Sequence, residues 1–245
     1  KSPVNLIDHQ TFLQEELSID YIYFISAVID YAETPKIVRK IFETNVYFLK
    51  CISEKYPKAK IIHSSSVSLF KEKGNSVITE RTGINPTSSY QMSKYWGENI
   101  VRQHQGGGVN IRISSLFGPE MNVKTFLPFV IKSALANKKI TLFGDGSRKQ
   151  NYIYVEEAAS FFCSAINVDV DFPLLSVNQN SFSNLEIAEK VQSAIGNIEI
   201  EFKNIDDSPS FVYNNDLTRK ILNLKSSDNI DDQLEKTILW MKKKF

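Results

Sequence analysis

The sequence predicts a doubly wound α/β fold, a parallel sheet covered on both faces by helices, with a smaller domain toward the C-terminus. Short aromatic and β-branched runs alternate with helical patterns through the first half of the chain, and beyond Gly118 and Pro119 that alternation gives way to a different spacing. At 245 residues and 42% hydrophobic content the chain can bury a sizeable core. Alternation argues for parallel pairing because each crossover must pack a helix back onto the sheet.

The first strand is Tyr21, Ile22, Tyr23, Phe24 and Ile25. Pro35 then opens a helical pattern through Ile37, Ile41, Val46 and Leu49 that runs to Ser53. A buried strand at residues 59–63 ends in Ser64, Ser65 and Ser66, and a polar loop with Gly74 and Asn75 follows. Asn85, Pro86, Thr87, Ser88 and Ser89 supply helix-start chemistry, so residues 90–104 read as a helix, with a strand at 109–113. Next come a helix through Phe126, Val130 and Leu135, a tight turn at Gly144, Asp145 and Gly146, a helix over 156–166 and a strand near 175–177. Helices over 185–195 and 231–244 complete the pattern. The implied division is 1–118 with about 151–180 in the sheet domain, and 119–150 with 181–245 in the smaller one.

The 29 basic and 28 acidic residues nearly cancel, so no global field points to nucleic acid or a membrane surface. Lys242, Lys243 and Lys244 suit a solvated helix end. No apolar run has the length of a membrane span, and Lys1, Ser2 and Pro3 lack the apolar core of a signal peptide. Cys51 and Cys163 lie in apolar stretches without metal-ligand spacing, which reads as two core residues of a reduced, cytoplasmic protein. His9, His63 and His104 are far apart, and no metal site is expected.

Tyr90 and Lys94 place a phenol and an ammonium one helical turn apart on one face. The spacing alone says little, because Tyr56 and Lys60 repeat it across a helix end and a strand. Context separates the two pairs: the helix of Tyr90 follows a strand that ends in serines, so Ser66 can meet the phenol at the carboxyl edge of the sheet, where open α/β sheets bind ligands. A phenol with a pKa near 10 is a poor base at neutral pH, and a nearby ammonium favours the phenolate. The plain alternative is that Tyr90 packs and Lys94 is solvated.

Other segments favour the chemical reading. Residues 20–27, Asn45 and Val46 on their helix, the serines 64–66, Arg112 to Pro119, Ile140 to Ser147 and Tyr152 to Glu157 resemble, in order and spacing, motifs of the extended short-chain dehydrogenase/reductase family, the NAD-dependent epimerase/dehydratase group. The resemblance implies a Rossmann-like sheet domain and a smaller substrate-binding domain. It implies Tyr90 as acid/base, Lys94 as its partner and a ribose-binding group, and Ser66 as hydroxyl donor. Ser26, Ala27, Asn45 and Ser114 would join Tyr90 and Lys94 around NAD or NADP. A nucleotide-sugar substrate would meet Ser115, Arg148, Lys149, Gln150 and the backbone amides of Thr125 and Phe126. Ile140 to Ser147 would form a hairpin. Residues 35–53 and 90–104 resemble the helices of the family's homodimer, although Ile37, Ile41 and Phe48 suit a sheet-facing role equally well.

Departures from the pattern narrow these implications. The family's Gly-x-x-Gly-x-x-Gly loop is absent, and Val4 to Asp8 resembles the segment beside the adenine, so the sheet domain is expected to be N-terminally incomplete, as in a trimmed chain. Tyr21 to Ile25 would then lie at an open edge, and this chain would hold the cofactor weakly or not at all. Ser115 stands where the family has Asn, and Gln150 where it has a diphosphate-binding Arg; another family Arg falls near Asp206. Val67 and Ser68 replace the Asp-Glu pair of dehydratases, which disfavours dehydration and leaves an epimerase or a ketoreductase. A reductase of a non-nucleotide carbonyl, or a non-catalytic relative that keeps the fold for binding, are the alternatives.

Overall fold

The computed structural model describes residues 17–70, 77–121, 123, 125–225 and 229–244. Val4 to Asp8, His9 and the loop at Gly74 and Asn75 lie outside them. The chain forms two compact units, one of residues 1–71, 83–112 and 162–175, the other of 72–82, 113–161 and 176–245. Among the described residues no helix is long and apolar enough to cross a membrane.

In the first unit, β1 (Tyr21–Phe24) and β2 (Lys60–Ser66) pair in parallel, from Tyr21 opposite Lys60 to Phe24 opposite His63. The sheet continues with β4 (Gly108–Ile113) and β9 (Leu174–Ser176) in the order β1, β2, β4, β9. The crossover from β1 to β2 is α1 (Pro35–Phe42), a π-helical turn (Glu43–Tyr47) and α2 (Phe48–Lys55). Pro35 sits in the first helical turn, where its missing N–H costs no bond. The second crossover is α3 (Ser89–Arg102), started by a reciprocal capping box in which the Ser88 hydroxyl accepts from the Gln91 N–H and the Gln91 side chain accepts from the Ser88 N–H. Ile22, Phe24, Leu49, Ile52, Ile61 and Val101 close the core between sheet and helices. Ile41 is fully buried and the Phe48 ring lies 6.0 Å from that of Phe24, so this stripe faces inward.

One glycine sets how closely α3 approaches β2. A Cβ on Gly97 would lie 2.8 Å from His63 Cε1 and 2.9 Å from Nε2. The imidazole cannot easily yield, since it is fully buried and its Nδ1 is 2.8 Å from Asn110 Oδ1. Gly97→Ala is therefore expected to destabilise the protein by about 1–3 kcal/mol, the usual cost of overpacking. A urea unfolding midpoint equal to that of wild type would contradict this reading of the contact.

The second unit is built from small sheets and helices. β5 (Ser115–Phe117) pairs in parallel with β8 (Tyr152–Tyr154), β6 (Lys139–Phe143) with β11 (Glu199–Lys203), and β3 (Val77–Ile78) with β12 (Val212–Tyr213). β7 (Lys149–Gln150) runs antiparallel to β10 (Phe182–Ser183). The helices are α4 (Phe126–Asn137), α5 (Val155–Ser164), α6 (Asn184–Ile195), α7 (Asp216–Leu222) and α8 (Ile230–Lys244). Leu127, Ile131, Ile140, Ile187, Leu234 and Met241 are among the core residues that bind them together.

Two expectations are corrected. Ile140 to Ser147 is not a hairpin: the partner of β6 is the distant β11, held by Lys139 Nζ at 2.6 Å and Thr141 Oγ1 at 2.6 Å from the Glu201 carboxylate. Gly144 and Gly146, with φ of 65° and 75°, turn the chain away from β6 rather than back along it. The cysteines are not core residues either, for Cys51 is half-buried and Cys163 exposed. Both lie on helices whose opposite faces carry the packing, a distinction that local apolar composition does not make.

Candidate active site

The carboxyl end of β2 and the first turns of α3 bring three expected groups together. Tyr90 is 5% exposed, and its phenol shares a hydrogen bond with the Ser66 hydroxyl. Ser66 also caps a 3-10 turn (Val67–Leu69), accepting from the Ser68 N–H at 3.1 Å and donating to the Ser68 hydroxyl at 2.9 Å. Lys94 is 2% exposed and donates to the Ser64 carbonyl at 2.7 Å. Burial outweighs the hydrogen bond with Ser66 and pushes the phenol up to about 12. Sequence reasoning expects the ammonium to draw the phenol down, but exclusion from water dominates here. Burial also lowers Lys94 to about 8 against the opposing pull of Glu98.

The loop after β1 is tied to this end of α3. Ser26 is exposed and Ala27 half-buried. Asn45, expected beside a cofactor, is 1% exposed and engaged within the protein: its Oδ1 accepts from the Val28 N–H at 2.8 Å, and its Nδ2 donates to the Val28 carbonyl and the Ser93 hydroxyl, each at 3.0 Å. Asn45 sits in the π-helical turn, whose extra residue aims the amide at the loop. Ser93 donates onward to the Tyr90 carbonyl at 2.7 Å. Further along the loop the Tyr31 ring meets that of Tyr90 edge-on at 5.6 Å, and the Glu33 carboxylate accepts from the Ser89 N–H and hydroxyl. Those bonds hold Glu33 below the usual carboxylate range. A carboxylate there also suits the helix dipole.

The second unit carries the remaining expected residues. Ser114 is 8% exposed and donates to Asn151 Oδ1 at 2.8 Å, while Ser115 is exposed and its N–H reaches the Asn151 carbonyl at 3.3 Å. Thr125 precedes α4 without a side-chain capping bond, and Phe126 is half-buried at its first position. Arg148 Nε donates to the Pro209 carbonyl at 3.3 Å, the Lys149 side chain is exposed, and Gln150 Nε2 donates to Asn184 Oδ1 at 2.8 Å. Asn151 went unnoticed in the sequence although it is the hub of this region, its Nδ2 donating to the Asn178 and Asn180 carbonyls at 2.7 and 3.1 Å. Gln91, Glu98 and Tyr31 are likewise visible only in three dimensions. Among the described residues no group of three or more His, Cys, Asp or Glu side chains is placed to hold a metal ion.

A nicotinamide nucleotide would find hydrogen-bond donors at one end of the first unit. Lys94 has donors beyond its bond to Ser64 for ribose hydroxyls, beside a phenol and a hydroxyl already in contact. For the pyrophosphate the 245 residues contain no Gly-x-x-Gly-x-x-Gly loop.

The sequence pattern of the NAD dependent epimerase/dehydratase family matches residues 5–172. A dTDP-D-glucose 4,6-dehydratase of Dictyostelium discoideum is 24% identical over 216 residues, 76% of this chain and 48% of its own. A putative UDP-glucose 4-epimerase of Methanocaldococcus jannaschii is 29% identical over 121 residues, 46% of this chain and 40% of its own. The chain thus spans less than half the length of either. Among solved structures, the UDP-glucuronic acid 4-epimerase of Bacillus cereus, in complex with UDP-glucuronic acid and NAD, is 20% identical with a TM-score of 0.81 over 97% of this chain and 79% of that one. The UDP-N-acetylglucosamine 4-epimerase of Methanobrevibacter ruminantium M1, in complex with UDP-N-acetylmuramic acid, is 19% identical with a TM-score of 0.83 over 97% and 80%. Their likeness to this chain is one of fold.

Proposed function

The chain belongs to the NAD dependent epimerase/dehydratase family, and on that footing we propose that it acts on a nucleotide sugar with NAD, as an epimerase or ketoreductase rather than a dehydratase. The observation that carries the proposal is the buried phenol of Tyr90 in contact with the Ser66 hydroxyl, one turn from the buried ammonium of Lys94. When bound, NAD supplies reversible hydride exchange at a sugar carbon. Lys94 would hold its ribose, with Ser26 and Ala27 around the cofactor and Asn45 fixing the loop of Ser26. Eliminating water requires a further acid and base. Val67 and Ser68 follow Ser66, and the carboxylates bonded to α3 and its first residue are engaged, Glu33 with Ser89 and Glu98 with Arg112.

Tyr90 Oη holds its proton at neutral pH, so it must first become the phenolate to take the proton of a sugar hydroxyl as that carbon is oxidised, and it returns the proton to the ketone oxygen on reduction. The positive charge of Lys94 favours that phenolate. Ser66 Oγ is a second donor to the oxygen whose charge changes. In the second unit the diphosphate is assigned to Arg148 and Lys149, aided by Ser115, Gln150 and the amides at Thr125 and Phe126, because burying that charge unpaired is prohibitive. We also assign a homodimer to the outer face of the α1 to α3 layer, where Tyr47 and Trp96 stand exposed.

A second reading, reduction of a non-nucleotide carbonyl, is favoured by Gln150 and by the bond of Arg148 to Pro209. One experiment separates the two. Full-length protein with NAD and UDP-glucose or UDP-glucuronic acid should yield a product that has not lost water, followed by NMR and mass. Replacing Arg148 and Lys149 together with alanine should weaken the nucleotide sugar by about 1–3 kcal/mol per lost charged hydrogen bond, with turnover of a small uncharged ketone barely changed. A dehydrated product would refute the reaction type. Equal effects on both substrates would remove the cations from the phosphate site and favour the carbonyl reading.

A further inference from the structure

Resting on that reading of Tyr90 and Lys94, we propose that Glu98 is the positioning residue of the catalytic helix: clamped by Arg112 and Ser65, it fixes α3 against the sheet at the height where Tyr90 meets Ser66 and Lys94 meets Ser64. Tyr90, Lys94 and Glu98 follow one another at four-residue intervals along a single face of α3. Their partners on β2 are consecutive serines. The phenol bonds the Ser66 hydroxyl, the ammonium donates to the Ser64 carbonyl at 2.7 Å, and the Ser65 hydroxyl donates to Glu98 Oε1 at 2.6 Å. Glu98 also receives a two-pronged bond from Arg112 of β4, Nε to Oε1 at 2.8 Å and Nη2 to Oε2 at 2.8 Å. Asn110, on the same strand, donates to the Glu98 carbonyl at 3.1 Å, and the Arg112 guanidinium lies over the Phe70 ring at 4.9 Å. One carboxylate therefore anchors α3 to two strands that neighbour each other in the sheet.

The three attachments differ in what turnover asks of them. Tyr90 and Ser66 must release each other to engage a substrate oxygen, and Lys94 must turn donors toward a ribose. Both bonds are surrendered in use. The Glu98 fork touches no reacting atom and persists through the cycle, and its planar geometry resists sliding as well as separation. A buried ion pair has no general advantage in stability over well-packed apolar residues, so its distinctive contribution here is register.

The test follows from that last point. Exchanging both partners, Glu98→Met with Arg112→Met, leaves no orphan charge and is expected to fold. Turnover per folded molecule in the UDP-sugar assay should nevertheless fall by about 10- to 100-fold, the cost of a misplaced catalytic group, with KM changed by no more than about twofold. Glu98→Asp, which keeps the charge, should retain more turnover than the double variant. Unchanged turnover per folded molecule, or a loss confined to KM, overturns the proposal. If the double variant does not fold, Ser65→Ala removes one bond to Glu98 only; its kcat should fall severalfold at near-native Tm, and an unchanged kcat again overturns the proposal. Full activity in Tyr90→Phe would instead overturn the reading of the site, whereas an inactive Tyr90→Phe beside a fully active double variant would overturn the role of Glu98 alone.

Discussion

Tyr90→Phe is expected to lower turnover by about 10²- to 10⁴-fold, the contribution of a positioned proton-transfer group, while cofactor affinity stays near that of wild type. The ring is 5% exposed and packs edge-on against Tyr31, and those contacts belong to carbon atoms that phenylalanine retains. Only the oxygen is lost. Ser66 keeps its bonds with Ser68, so the variant leaves no newly isolated hydroxyl there. The loss should appear in kcat, because the phenol exchanges its proton in the transition state and adds little to ground-state binding. Steady-state rates in the UDP-sugar assay, with a parallel NAD titration by fluorescence, would measure both quantities. Unchanged turnover would remove Tyr90 from the chemistry.

What the sequence disclosed of this site follows the range of each signal. Tyr90 and Lys94 are four residues apart, and helical periodicity turns that spacing into shared orientation without further information. Ser66 was legible because it closes the buried strand that precedes, across a loop, the helix that carries them. The Glu98 clamp was hidden, since its partner Arg112 stands on another strand and only the order β2 then β4 brings the two together. β11 was missed for a similar reason. Glu199, Ile200, Glu201, Phe202 and Lys203 alternate polar with apolar residues over only five positions, and the strand is evident once Lys139 and Thr141 of β6 supply partners for Glu201. The phenol shows the limit most directly: the sequence supplies the neighbouring charge of Lys94 but not the exclusion of water, and the second effect determines the direction.

The same exclusion of water leads to the other large effect, on stability. Burial lowers Lys94 from 10.5 to about 8, and at about 1.4 kcal/mol per pH unit that difference corresponds to about 3 kcal/mol. Because the folded pKa lies below the unfolded one, the unfolded chain binds more protons between about pH 8 and 10.5, so stability rises with pH through that window. Below about pH 8 both states are protonated and the full cost of burying the ammonium is present. Lys94→Met keeps an unbranched apolar stem and removes the charge. It also removes the bond to the Ser64 carbonyl, which contributes about 1.5–3 kcal/mol as a charged hydrogen bond, and the attraction to Glu98. The attraction to Glu98 is already contained in the lowered value, whereas the bond to the Ser64 carbonyl is set against it, so the variant without added cofactor should be more stable than wild type at pH 7 by up to about 1.5 kcal/mol, and its advantage should shrink toward zero as pH rises to 10.5. Turnover should be lost at every pH. Urea unfolding of both proteins at pH 7 and at the alkaline end gives the comparison, and because only their difference is read, titration of the other lysines cancels. A variant less stable than wild type at pH 7 would mean that the ammonium is better satisfied than by one carbonyl and a carboxylate a turn away. A stable, inactive Lys94→Met would show instead that this ammonium is kept buried, at a cost in stability, for what it does to its ligands.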